Sequence, residues 1–344
     1  MKFFLKIIGL FLVVTVNAQS DKPFVPYDEV SILINEIIIK VRQNNKWGIC
    51  EMKTGKQITS IKYNSIYVFD ANFSLLKAEI DGKFGLVTFS GKEITPFIYD
   101  NLFYRYEDLK MIRVECNNKH GLLDYKGKEL IPLKYDGLAI FSDDTFYAKK
   151  DKKNFLLDTT GKEISNKYDE MFRLIDGLAL VKINTREELI RGKFGFVNSK
   201  GKEIVPLKYD YADSFSEGLA RVELNGKMGF IDTKGKEVIS LKYDWVYDFV
   251  EGFAIVKSNK KVGFIDTTGK EVIPMIYDSV DSFSEGLAAV KLNDKLGFVN
   301  STGEVVIPFI YTSIQFSRFE NGIVYVRDEA ENWFYINTKG EKIE

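Results

Sequence analysis

The side chains able to do chemistry are few and scattered. His120 is the single histidine of the 344-residue chain. One imidazole can act as a general base, but it cannot build a histidine metal cluster, and it needs an oriented partner to activate a nucleophile. Cys50 and Cys116 are the two thiols, with no metal-ligand spacing around them, and too few for a disulfide framework. Tyr-Asp pairs recur at Tyr99-Asp100, Tyr135-Asp136, Tyr209-Asp210, Tyr243-Asp244 and Tyr277-Asp278. Carboxylates beside phenols suit calcium or sugar hydroxyls, yet a packed Tyr followed by an Asp that braces the next turn accounts for the same pattern. The Gly-Lys-Glu tripeptides follow turns and need no more than solvated ion pairs. No glycine cluster precedes a helix as in a phosphate loop. These residues predict no catalytic site and no cofactor or metal.

What positions them is a repeat. Aligned on the glycine of Lys-x-Gly, copies stand at Gly48, Gly85, Gly121, Gly195, Gly229, Gly263 and Gly297, with Phe155 and Phe334 in the same place in two degenerate copies. Most spacings are 34 to 37 residues and one is 40. A fixed period of this kind overrides a division into ordinary domains.

One copy shows the local logic. Leu219–Leu224 alternates like a strand, and Asn225-Gly226 is a hairpin turn whose two central residues need positive φ. Lys227–Ile231 is the returning strand, and Asp232-Thr-Lys-Gly235 is a turn opened by a side-chain acceptor and closed by a left-handed glycine. Lys236–Tyr243 is a third strand, and residues 244–252 link to the next copy. Pro96, Pro132, Pro206, Pro274 and Pro308 share one position in the third strand, which predicts an edge or a bulge there. One copy is too small to stand alone, so neighbours must stack. The fold class expected is all-β, an array of about nine ~34-residue three-strand repeats, open and twisted, the alternative being a closed propeller-like ring.

Two irregularities mark candidate binding positions. The 40-residue spacing comes from an insertion at a hairpin tip, residues 183–191, which contains Asn184, Thr185, Arg186, Glu187, Glu188 and Arg191. Insertions in repeat arrays fall on loops, often on the binding face. The other is Lys46-Trp47-Gly48, read as the one copy that keeps a Trp before its glycine, with Trp245 and Trp333 at different repeat positions or far away.

Lys46-Trp47-Gly48, with Lys83-Phe84-Gly85, Lys193-Phe194-Gly195, Lys227-Met228-Gly229, Lys261-Val262-Gly263 and Lys295-Leu296-Gly297, resembles the signature of the WG-repeat (KWG) family of bacterial proteins. The flanks Gly-Phe-Ile-Asp-Thr-x-Gly-Lys-Glu, Ile-Pro-x-x-Tyr-Asp and Phe-Ser-Glu-Gly-Leu-Ala resemble it too. The resemblance implies an all-β repeat protein, often exported or envelope-associated, with no common enzymatic activity and no agreed ligand.

The remaining sequence bears on location. Lys2 and Lys6, the apolar run Ile7–Val16 and small residues at Val16-Asn17-Ala18 read as a signal peptide over residues 1–18, cut between Ala18 and Gln19. A lead segment follows over 19–36, and the array over 37–344. No other run is long and apolar enough to span a bilayer. Apolar residues make up 45% and charged residues 28%, as in a folded domain. The formal charge of −1 argues against nucleic acid as a partner. The expectation is a non-enzymatic exported scaffold, periplasmic, at the cell surface or extracellular, that binds another protein. A glycan- or peptidoglycan-binding module is the alternative.

Overall fold

The structure, a computed structural model, describes the backbone of residues 2–7, 10–15, 27–34, 37–106, 110–184 and 192–343. Lys2–Ile7 and Leu10–Thr15 pair as an antiparallel hairpin, and Ala18 and Gln19 lie outside the described residues. Among the described residues from Glu29 onward the chain forms nine small antiparallel sheets in sequence order, each of three or four strands, and none of them closes on itself. The chain divides into two compact units, Met1–Glu163 and Ile164–Glu344.

The sheet built on Gly229 is typical. Leu219–Leu224 and Lys227–Asp232 form the central hairpin, with Leu224 opposite Lys227. Asn225 and Gly226 both have positive φ, as their turn requires. At the next turn the Asp232 carboxylate accepts from the N–H groups of Lys234 and Lys236 at 2.9 and 2.8 Å, and Gly235 is left-handed at φ 77°. The three-strand expectation is incomplete. The link carries a further strand, here Tyr211–Ala212, which opens the sheet beside Leu219–Leu224. In the next two copies it is Trp245–Val246 and Ser279–Val280. A strand of two residues carries no periodicity to read.

The shared proline marks a bulge. Glu237–Tyr243 pairs with the second hairpin strand at Ile231↔Glu237, Phe230↔Ile239 and Met228↔Tyr243, so the residues between Ile239 and Tyr243 bow outward opposite Gly229 alone. Gly195, Gly263 and Gly297 face the same bow, at Pro206, Pro274 and Pro308. A Cβ on Gly229 would lie 2.8 Å from the Ser240 carbonyl carbon and closer still to the Ile239 oxygen. The Lys-x-Gly glycine is therefore a requirement of close backbone approach. Where Phe155 stands instead, the third strand shrinks to the bridge Leu157↔Glu163. In the first two copies Thr59 and Thr95 replace the usual Ile or Val. Their hydroxyls accept from the N–H groups of Ile49 and Leu86 at 3.0 and 2.8 Å, and only isolated bridges remain.

The cores lie between neighbouring sheets. One cluster joins Phe196, Val205 and Tyr209 to Phe215, Val222 and Ile231 of the following copy. Within the second unit a Phe of one hairpin meets a Phe of the next link four times over: Phe196–Phe215, Phe230–Phe249, Phe264–Phe283 and Phe298–Phe319. Their centroid distances are 4.8, 4.8, 4.9 and 4.9 Å, with ring tilts of 51–56°. Such tilted pairs contribute ~0.5–1.5 kcal/mol each beyond the area they bury.

Two glycine substitutions separate backbone conformation from close approach. Gly226→Ala, at positive φ but in open space, should cost ~1–2 kcal/mol. Gly229→Ala should cost ~3 kcal/mol or more, the upper end of ordinary overpacking, because the colliding atoms are backbone. Urea midpoints of the two variants give the order, and equal losses would contradict the bulge as the reason for this glycine.

Candidate functional site

The Tyr-Asp pairs are structural braces. After Tyr243, Asp244 accepts from the Lys227 ammonium at 2.6 Å through Oδ1, and from the Asn259 N–H at 2.8 Å through Oδ2. Asp278 does the same with Lys261 and Asn293, and Asp100 and Asp136 do it with Lys83 and Asn117, and with Lys119 and Asp151. Each carboxylate ties the Lys of one Lys-x-Gly to the hairpin turn of the next copy. Where Thr312 replaces the Asp, Lys295 pairs with Glu329 instead.

His120 fills the slot before the glycine. It stands opposite Glu115 and Tyr135, as Met228 stands opposite Glu223 and Tyr243. Burial lowers its pKa. Cys50 is buried, Cys116 half-buried, and both are free. Among the described residues no group of three or more His, Cys, Asp or Glu side chains could hold a metal ion, and no helix is long and apolar enough to cross a membrane.

Asn184 opens the insertion where Asn225 opens its own turn. Its N–H donates to Asp169 Oδ2 at 2.9 Å, while Ile183 pairs with Lys193 across the base. Thr185, Arg186, Glu187, Glu188 and Arg191 lie outside the described residues. Trp47 is half-buried and covered by cations, with Lys40 Nζ 4.4 Å from its ring centroid and the Arg42 guanidinium at 5.5 Å. It does not stand alone in its register. Trp333 lies opposite Arg327 as Trp47 lies opposite Arg42, so the last copy keeps the Trp and loses the glycine to Phe334.

The site that the sequence reading missed lies along the links of the second unit. Trp245 and Tyr247 alternate along one link and so share a face. They are 44% and 53% exposed, with ring centroids 6.3 Å apart edge to face. Behind Trp245 stands the Arg221 guanidinium, 5.8 Å from the ring centroid. Arg221 pairs with Asp213 and donates to the Val246 carbonyl of the next link at 2.8 Å. In the first unit, at the same place in their hairpins, Lys77 reaches the Leu102 carbonyl at 3.4 Å and Arg113 the Leu138 carbonyl at 3.1 Å. Trp245 and Tyr247 have no counterpart in sequence, since Tyr211 and Asp213 precede them and Ser279 and Asp281 follow them at the repeat period.

Comparison with known proteins bears on the repeat alone. The family model described as "WG containing repeat" matches residues 84–119, 121–153, 155–184, 194–227, 228–261, 263–295 and 297–329. No curated protein matches. Among solved structures the chain is similar to a eukaryotic initiation factor at 8% identity, over 97% of this chain and 90% of that one, with a TM-score of 0.34. It is similar to Citrobacter koseri AztD at 11% identity, over 90% and 91%, with a TM-score of 0.31. It is also similar to BamB from Moraxella catarrhalis at 11% identity, over 80% and 83%, with a TM-score of 0.25. Likenesses this weak carry no argument.

The braces make stability depend on acidity. The Lys227 ammonium, then the Asn259 N–H, hold the Asp244 carboxyl below its ordinary 3.8, and Asp278, Asp100 and Asp136 are lowered by equivalent partners. A depressed carboxyl contributes its stability in full above the unfolded value of ~3.9 and loses it as the pH falls through the lower folded value. The wild-type urea midpoint should therefore fall on acidification below about pH 4. Asp244→Asn should start lower at neutral pH and fall less steeply.

Proposed function

The chain belongs to the WG-repeat family, and from that premise we propose that it is a non-enzymatic, exported repeat scaffold that holds another protein of the cell envelope or extracellular space. The observation that carries this reading is the Trp245–Tyr247 pair, about half exposed on a paired strand and backed by Arg221. Trp, Tyr and Arg are the residues on which binding energy concentrates at protein interfaces. A ring already held by its neighbours loses little freedom on binding. The last sheet offers a second set of rings, with Tyr325 stacked on Trp333 at 5.1 Å and set against Tyr335 at 4.6 Å.

The reading needs no catalytic residue. The recurring acids and lysines are engaged in bracing turns, and the single histidine serves a repeat slot. Export rests on the N-terminal pattern of Lys2, Lys6, the apolar run and Ala18.

Capture from an envelope extract tests the proposal. Immobilised wild-type protein should retain a specific protein, and Trp245→Ala with Tyr247→Ala should reduce the amount retained at least tenfold, on the order of two interface hot spots lost. Retention of purified peptidoglycan in place of any protein, abolished by the same substitutions, would overturn the protein-scaffold reading in favour of a glycan-binding module.

A further inference from the structure

The gap between successive sheets is closed by a cation at some copies and left open at another. Arg221 fills it after its own sheet. Its guanidinium lies 5.8 Å from the ring centroids of both Tyr211 and Trp245, donates to the Val246 carbonyl at 2.8 Å, pairs with Asp213 and stands 3.8 Å from Asp248. One copy later the equivalent residue is Ile255. It occupies the middle of Phe253–Ser258 as Arg221 occupies the middle of Leu219–Leu224. An isoleucine has neither the length nor the charge to reach the next link. A cleft of about 550 Å³ opens there, lined by Tyr247, Asp248, Ile255, Val280 and Asp281 above a floor that includes Phe283.

The lining keeps one feature that holds Arg221 and supplies others from different positions, with Ser279 and Ser282 standing where Trp245 and Asp248 stand one copy earlier. Val280 takes the place of Val246, whose carbonyl is an acceptor. Tyr247 takes the place of Asp213 and offers a ring face in exchange for a carboxylate. The carboxylate comes instead from Asp281, which faces Ala289 where Asp213 faces Arg221, and which has no ion pair among the described residues. Asp248 also lines the cleft but stands 3.8 Å from the Arg221 guanidinium. Asp278 also lines the cleft but is engaged by Lys261, and Lys257 is the cation of the lining, opposite Trp245 in register.

We propose that this cleft receives an arginine side chain presented by a partner protein, which takes the place that Arg221 takes in the preceding gap. The assignment rests on the scaffold reading for its macromolecular partner, though not for its chemistry. A guanidinium can donate to a carbonyl and a carboxylate at once while its plane lies on a tyrosine ring, a stacking that an ammonium lacks. The methylene stem would lie on Ile255 and Phe283, so the apolar floor is covered rather than wetted. The cleft adjoins the exposed Trp245–Tyr247 pair through Tyr247 itself, so one partner segment could engage both.

The test uses the whole protein with N-acetyl-arginine amide as probe, followed by calorimetric titration. N-acetyl-citrulline amide, of the same shape but uncharged, is the control. The arginine probe should bind in the millimolar range expected of so small a ligand, and the citrulline probe at least tenfold more weakly. Ile255→Arg should fill the cleft from within and abolish binding. Asp281→Asn, at an exposed position, should weaken binding at least tenfold with the urea midpoint unchanged. Equal binding of the two probes, full binding by either variant, or no binding of the arginine probe to wild type would overturn the proposal. Capture from extract separates it from the scaffold reading. A partner retained equally by wild type and Ile255→Arg leaves the scaffold standing and sinks the arginine slot. Probe binding without any captured partner supports the slot and sinks the scaffold.

Discussion

The close approach of a bowed strand to a bare glycine is the contact on which the rest depends. At Gly229 the backbone around Ser240 lies where a side chain would be. The bow brings Tyr243 back opposite Met228. Asp244 then emerges where it can hold Lys227 with one oxygen and the next hairpin turn with the other. The chain is thereby aimed at the neighbouring sheet before the link begins. Without the bow the third strand would run on in register past the glycine.

This also explains why the repeated phrase is poor in chemistry. The acids after its Tyr and the lysines of Lys-x-Gly are spent in pairs that connect one copy to the next, and the hairpin Phe rings in the tilted pairs that close the cores of the second unit. Residues used in this way recur in most copies because the geometry recurs. Difference from copy to copy is therefore the mark of something other than stacking. Arg221 and Ile255 occupy one place in two successive copies, and the gap they face changes with them from filled to open.

Much of the architecture was legible. The Asn225-Gly226 hairpin, the Asp232-to-Gly235 turn and the bulge at the shared proline are local consequences of positive φ and of a missing N–H, and the structure has each where the residues place it. The two-residue link strands were not legible, because Tyr211–Ala212 and Ser279–Val280 are too short to alternate. Trp333 escaped notice as a counterpart of Trp47 because Phe334 stands where its glycine would be. The Trp245–Tyr247 surface was not legible either, since it stands where the links vary, ahead of their recurring Phe-x-Glu-Gly.

From the sequence alone follow the period, the turns, the bulge and the family, because each depends on the conformational freedom of one or a few adjacent residues. Only the tertiary structure decided what stands between one sheet and the next. Whether a gap is filled depends on residues some 25 positions apart, such as Arg221 and the Val246 carbonyl. Nothing in the local pattern of either states that they meet. It is stacking that brings Ile255 to a place built for a cation and leaves Asp281 there without one.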